Sequence, residues 1–376
     1  MRNGRSKLAV LAAIPLLAAA CSNGDGDSGE AGTNGGELSA SLTGAGASFP
    51  DPLFQDWIYS YGEDVQPGVE INYQSVGSGA GIEQFLEQTV DFGSSEEYLG
   101  EEELAVAAEN RGCEAIQFPV VFGSVVIALN NPDLDGLVLD AETIAGIYST
   151  EITTFDDPAI AELNPDMDLP GDEIVPVHRS DSSGTTAVFT HYLSTEVESW
   201  ADEYGEGKEL DWAGGLVGGQ QNDGVAQGIN QNPGGLGYLN QSFAQEAGLA
   251  VASVVNADGN PIEPTLEATI AASDEADVPE NFQFAIDGIG GEGYPIAGTN
   301  WIFTYTCGYE SATADALIDF WAWALTDESA QEVAGDLGYA PLGPELTERV
   351  IAELEKTNSE NGGTQGGDAD TETSDE

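Results

Sequence analysis

The run from Val177 to Thr186 reads VHRSDSSGTT and holds Arg179, one of five Lys or Arg residues beyond position 20. A planar guanidinium suits a two-pronged contact to an oxyanion. Asp181 is spaced to orient that guanidinium, and Ser182, Ser183, Gly184 and Thr185 are small residues with the hydroxyls and backbone N–H groups of a helix start. Free N–H groups, a partial positive dipole and a nearby cation together make an oxyanion cradle. A chain with 67 acidic and 8 basic residues, net charge −59, would otherwise be expected to repel anions.

Two further stretches have the same character. Thr43 to Pro50 (TGAGASFP) is a small-residue loop leading to Pro50 and Pro52 in a helix's first turn, with Ser48 as the expected N-cap. Gly77 to Gly81 (GSGAG) follows an alternating strand of Val69, Ile71 and Tyr73 and opens a helix marked by Ile82, Phe85, Leu86 and Thr89. The helix after Ser183 carries Val188, Phe189, Tyr192 and Leu193. One such start alone is an ordinary cap or turn. Three in one chain, one with an Arg in register, point to convergence on an anion.

The elements that must position these starts alternate between strand and helix. Phe118 to Asn130 is a near-continuous apolar run suited to a buried strand, Ile174 to Val177 is another, and Leu53, Phe54, Trp57, Ile58 and Tyr61 recur at helical spacing. The class is α/β, in which ligands bind at the carboxyl ends of strands. Gly234 to Gly237 reads as a turn into a strand, and Trp57, Trp212, Trp301, Trp321 and Trp323 as core or cleft-edge aromatics.

Residues 1–20 form a secretory signal, with Arg2, Arg5 and Lys7 ahead of the apolar run Leu8 to Ala20, which is too short to span a membrane. Ala18, Ala19 and Ala20 before Cys21 resemble the lipobox of bacterial lipoproteins, whose Cys is lipidated and becomes the first mature residue. Residues 21–37 are Gly, Ser, Asn, Asp and Glu with almost nothing apolar, a flexible linker, and the acidic tail 357–376 is expected to be disordered. Loss of the signal leaves five cations against 67 acids, a mature charge of −62. Such a surface resembles that of proteins from saline habitats, and its sign disfavours nucleic acid as a partner. With Cys21 lipidated, Cys113 and Cys307 remain for a disulfide in an exported protein, although spacing alone leaves two separate buried thiols open.

Seven runs carry a resemblance: Thr43–Pro50 (TGAGASFP), Tyr73–Gly81 (YQSVGSGAG), Thr89–Ser95 (TVDFGSS), Gln117–Gly123 (QFPVVFG), Asn164–Pro170 (NPDMDLP), His178–Thr185 (HRSDSSGT) and Gly234–Tyr238 (GGLGY). Together and in this order they resemble the phosphate-binding protein of the bacterial phosphate ABC transporter, over Leu42 to Ile351. The resemblance implies a two-lobed, periplasmic-binding-protein-like fold (type II, Venus flytrap) with phosphate in the interdomain cleft. Lobe I would be 38–121 plus 295–356 and lobe II 122–294, with crossings near Val121 and Tyr294. If Cys113 and Cys307 pair, the bridge would tie together the two halves of lobe I.

By the same resemblance Ser48, Phe49 and Ser78 would donate to phosphate from one side, and Arg179, Ser183, Gly184 and Thr185 from the other, with Asp181 holding Arg179. Glu96 stands where the family has Asp, the acceptor for the ligand's own proton, and keeps that chemistry with one more methylene. The implied partners are inorganic phosphate and the transmembrane subunits of an ABC permease with their cytoplasmic ATPase. A lipid-anchored monomer outside the cytoplasm, not an enzyme, is expected, with no cofactor, no metal and no nucleic acid. Another tetrahedral oxyanion, arsenate or sulfate, is the alternative. A secreted phosphatase is a further one, against which stand the lack of metal-ligand clusters and of a Ser/His pairing. His178 and His191 are read as packing or surface residues.

Overall fold

The computed structural model describes residues 37–358. The signal sequence, Cys21 with its linker up to 36, and the tail from 359 lie outside the described residues. Thr357 and Asn358, read from composition as tail, instead pack on the body: Thr357 is buried with its Oγ1 2.8 Å from that of Thr304, and Asn358 O accepts from Tyr309 N.

The strands are β1 (Ala40–Gly46), β2 (Val69–Ser75), β3 (Phe92–Ser95), β4 (Ala115–Leu129), β5 (Val138–Leu139), β6 (Val175–Arg179), β7 (Val217–Gly219), β8 (Gly235–Asn240), β9 (Ala250–Val251), β10 (Ser253–Val255), β11 (Pro261–Ile262) and β12 (Ala297–Tyr305). The main sheet runs β2-β1-β3-β12-β4-β8-β6-β7, with β9 also paired to β4, and β11-β10-β5 form a small second sheet. β1 is parallel to β2 and β3, and β6 is parallel to β7 and β8.

Between these two parallel groups lie β4 and β12, which are antiparallel to each other. β4 pairs with β12 up to Ser124 and with β8 from Val125 onward. Its 15 residues are almost wholly buried, so it reads as a continuous apolar run instead of alternating. The alternation survives in which core each residue enters. Val125, Ile127 and Leu129 join a cluster with Tyr148, Phe189, Trp200 and Tyr238, while Val126 and Ala128 face a smaller one with Val177, Val225 and Leu239. Phe118, Val120, Val121 and Phe122 belong to a separate core with Trp57, Phe92, Phe303 and Trp321.

The core therefore changes along β4 between Phe122 and Val125, and along the approach to β12 between Ile296 and Ala297. Ala272, Phe282, Phe284, Ile286 and Ile289 pack into the first core although they lie between those crossings in sequence.

Cys113 and Cys307 form a disulfide, with Cα atoms 6.0 Å apart across 194 residues of sequence. Strand register accounts for it. Ala115 faces Tyr305, and Thr306 N donates to Glu114 O, so continuing the β4–β12 ladder sets Cys113 opposite Cys307.

Candidate functional site

The carboxyl ends of the six parallel strands converge. Ser48 follows β1, Ser78 follows β2 and Glu96 follows β3, while Arg179 ends β6, Asn222 follows β7 and Asn240 ends β8. All six are at least nine-tenths buried. Helix starts gather here: Asp51–Ser60 begins three residues after Ser48, Ser78–Leu86 begins at Ser78, Gly184–Glu196 follows Arg179, Gln221–Gln231 holds Asn222 in its first turn, and Asn240 is the N-cap residue of Gln241–Glu246. The leading N–H groups of a helix have no acceptor within it and carry the positive end of its dipole.

Arg179 is held in one pose. Its Nε and Nη2 donate to the two Asp181 oxygens at 2.8 and 2.6 Å, and its Nη1 donates to Thr185 Oγ1 at 3.0 Å. Asp181 also accepts from Gln221 N at 3.0 Å. Burial alone would raise the Asp181 carboxyl, but the Arg179 hydrogen bonds and charge together with the Gln221 N–H leave it below its ordinary value. Gly77, at φ 92°, makes room, since a Cβ there would lie 2.7 Å from Asp181 Oδ2.

Glu96 closes the cluster from the other side. Its Oε2 accepts from Thr185 Oγ1 at 2.7 Å, its Oε1 accepts from Asn240 Nδ2 at 3.2 Å, and its N–H donates to Ser78 Oγ at 3.3 Å. The longer side chain points into the cluster. Gly184 permits this approach, because a Cβ on it would lie 2.6 Å from both Glu96 Cβ and Ser78 Oγ.

Burial holds the Glu96 carboxyl up at about 7, from 4.5, against the lowering pull of Thr185, Arg179 and Asn240. The protonated form thus favours the folded state. This group's contribution to stability is complete below about 4.5 and is lost as pH rises through about 7, a change on the order of 3 kcal/mol. In ligand-free protein, Glu96→Gln should remove that loss, which is measured as the difference between the two proteins' unfolding midpoints from pH 4 to 8. Parallel curves would mean that burial does not raise the Glu96 carboxyl above its value in the unfolded chain.

One residue sits differently from expectation. Ser48 is not the N-cap of the helix Asp51–Ser60: Pro50 occupies that place without a side-chain bond, and Ser48 Oγ accepts instead from Asn222 Nδ2 at 2.9 Å. Ser183 is the N-cap of the helix Gly184–Glu196, its Oγ accepting from Thr186 N at 3.2 Å, which uses one lone pair and leaves its O–H free to donate. Phe49 is buried with its ring against Tyr339 and its carbonyl accepting from the Tyr339 hydroxyl. His178 packs its ring on Trp212 with its Nδ1 2.7 Å from Arg179 O, and the His191 ring bonds Glu206.

Sequence reasoning missed Asn222, Asn240 and Lys208. Asn222 opens an Asn-Asp-Gly run that reads as a turn, and Asn240 stands two residues past the Gly234–Tyr238 run, outside any motif. Their shared signal is position, since both stand at the carboxyl end of a parallel strand. Lys208 was findable as one of the few cations. It pairs with Glu97 at 2.5 Å, and a second tie, Gln221 Nε2 to Ser75 O at 2.5 Å, runs between the same two groups of strands.

A cavity of about 350 Å³ opens beside the cluster, with Glu96, Glu97, Glu103, Glu206, Phe284 and Trp301 among its walls. Its carboxylates would repel an anion.

Residues 29–328 match the PBP superfamily domain. The phosphate-binding protein PstS of Xylella fastidiosa is 38% identical over 319 residues, covering 84% of this chain and 85% of that protein. PstS of Pasteurella multocida is 34% identical over 83% of this chain and 89% of its own. Among solved structures, a high affinity periplasmic phosphate-binding protein with bound phosphate superposes with a TM-score of 0.69 at 22% identity, over 83% of this chain and 93% of that one. The α/β fold, with two parallel strand groups joined through β4 and β12, is that of the superposed solved structure, and the chain belongs to the PBP superfamily and within it to the PstS phosphate-binding proteins.

Proposed function

We propose that the buried cluster is a phosphate site and that the protein captures inorganic phosphate outside the cytoplasm for delivery to the transmembrane subunits of an ABC permease. The observation that carries this is the pairing of one held guanidinium, Arg179, with one carboxylate, Glu96, between helix starts and hydroxyls. Arg179, Thr185, the hydroxyls of Ser48, Ser78 and Ser183, and the backbone N–H groups of Phe49 and Gly184 supply donors to bare ligand oxygens. Glu96 in its ionised form, which prevails above about pH 7 in the ligand-free protein, supplies an acceptor for a ligand that still carries a proton. Fully ionised sulfate has no proton to give and would leave that acceptor facing an anion unpaired. The acidic exterior does not oppose capture at hydrogen-bond range, because it is screened within about 3 Å at ~1 M salt.

In this reading residues 38–121 and 295–356 make one lobe and 122–294 the other, with the stretch around Phe282 to Ile289 lying against the first. β4 and β12 carry the crossings. The bonds from Asn222 to Ser48, Gln221 to Ser75 and Lys208 to Glu97 are then cross-lobe contacts of a closed cleft. Lipidation at Cys21 would tether the body through its linker. The protein is a receptor and not a hydrolase, so incubation with a generic phosphate ester should release no phosphate; ester turnover would favour the phosphatase alternative.

Competition binding tests the ligand. Glu96→Gln replaces an acceptor by an amide that also donates, so phosphate should weaken and sulfate should gain, each by about 1–3 kcal/mol. An unaltered phosphate-to-sulfate ratio would show that Glu96 does not discriminate.

A further inference from the structure

Asn222 is wholly buried in the first turn of the helix Gln221–Gln231, and the phosphate reading uses it only as a contact between the lobes. Its amide orientation follows from its neighbours. Asn240 N–H can only donate, and it points at Asn222 Oδ1 at 3.1 Å, so the other end of the amide, Nδ2, faces Ser48. Nδ2 donates to Ser48 Oγ at 2.9 Å, and the Asn222 backbone N–H donates to the same oxygen at 3.4 Å. A serine hydroxyl has two lone pairs and one proton. Both lone pairs are taken.

The geometry points to Asn222 as a positioning residue that makes Ser48 an obligate donor: with its acceptor capacity filled by Asn222, the Ser48 hydroxyl can only present its proton to the bound anion. This rests on the reading of the cluster as a phosphate site and adds the residue that sets the polarity of one of its hydroxyls. Asn240, through its own N–H, holds the Asn222 amide in register, and its side chain reaches Glu96 and Thr185. The chain from Asn240 to Asn222 to Ser48 therefore orients a donor on one side of the cluster, while Asn240 steadies the proton acceptor on the other.

A four-protein cycle tests this: wild type, Asn222→Asp, Ser48→Ala and the double variant, each titrated calorimetrically with inorganic phosphate and each checked for an intact thermal transition without ligand. In Asn222→Asp the new carboxylate would accept the Ser48 proton and turn the hydroxyl away from the ligand. Its added negative charge acts in both backgrounds and cancels from the comparison. The fold-loss in phosphate affinity caused by Asn222→Asp should be about tenfold smaller when Ser48 is already alanine. Equal fold-losses in both backgrounds would overturn the inference, since they would make Asn222 a packing residue only. If Asn222→Asp does not fold, Asn222→Ala completes the cycle with the same expected inequality. Wild-type protein that takes up no phosphate would overturn the site reading along with the inference, whereas wild-type binding with an additive cycle sinks the inference alone.

Discussion

Arg179→Ala should cripple phosphate binding while leaving a folded protein. In the phosphate reading it is the one cation of the cluster, and its guanidinium is fixed by Asp181 on two nitrogens before any ligand arrives. Pre-orientation of this kind removes the entropy cost of ordering a long side chain on binding. Truncating one partner of a buried charged pair costs about 2–5 kcal/mol, which here would appear as a loss of affinity between roughly 30-fold and several thousandfold. The fold should survive because Asp181 keeps the Gln221 N–H and its side chain is still 14% exposed. Asp181→Ala should weaken binding less, by loosening Arg179 without removing it. Arg179→Lys should not rescue, since an ammonium cannot bridge Asp181 on two parallel bonds and also reach Thr185. Calorimetric titration with phosphate, paired with thermal unfolding to confirm folding, measures all three. Unchanged affinity in Arg179→Ala would end the site assignment.

Reducing the Cys113–Cys307 bond, or replacing either cysteine with serine, should destabilise the body without touching affinity. The bond closes a loop of 194 residues, and cross-linking a chain at such separation stabilises chiefly by restricting the unfolded state. Loss of a native disulfide costs about 2–5 kcal/mol, which in a body of this size lowers the unfolding midpoint by roughly 4–10 °C. The two cysteines lie beyond the ends of β4 and β12, at the opposite end of that ladder from where β4 passes to β8, so phosphate affinity of the reduced protein should hold. An unchanged midpoint on reduction, or two free thiols in intact-mass analysis of exported protein, would contradict the bond.

Local chemistry was legible in the sequence where a residue's job depends on its neighbours in the chain. Arg179 with Asp181, and Ser183 at a helix start, are pairs or caps within a few residues, and the pattern shows them. The apolar run of β4 announced a strand buried on both faces. What depended on register was not legible. Whether Cys113 meets Cys307 is settled by which residue of β4 faces which of β12, and a bulge between Asn300 and Trp301 shifts that register by one.

Side-chain engagement across the cluster was hidden for the same reason. Ser48 looked like a cap because a serine before two prolines usually is one, and the competing acceptor bonds from Asn222 come from 174 residues away. Glu96 could have turned outward on its extra methylene. It turns in because Thr185, in the helix after β6, and Asn240, at the end of β8, offer its two oxygens donors, and because Gly184 leaves space for its Cβ.

Titrating the mature wild-type protein with inorganic phosphate by calorimetry, at low and at high salt, tests the central claim most directly. The account predicts saturable binding at one site per chain under both conditions, with sulfate failing to displace the bound phosphate at equal concentration. No saturable heat at either salt concentration, or displacement of phosphate by sulfate at parity, would contradict it.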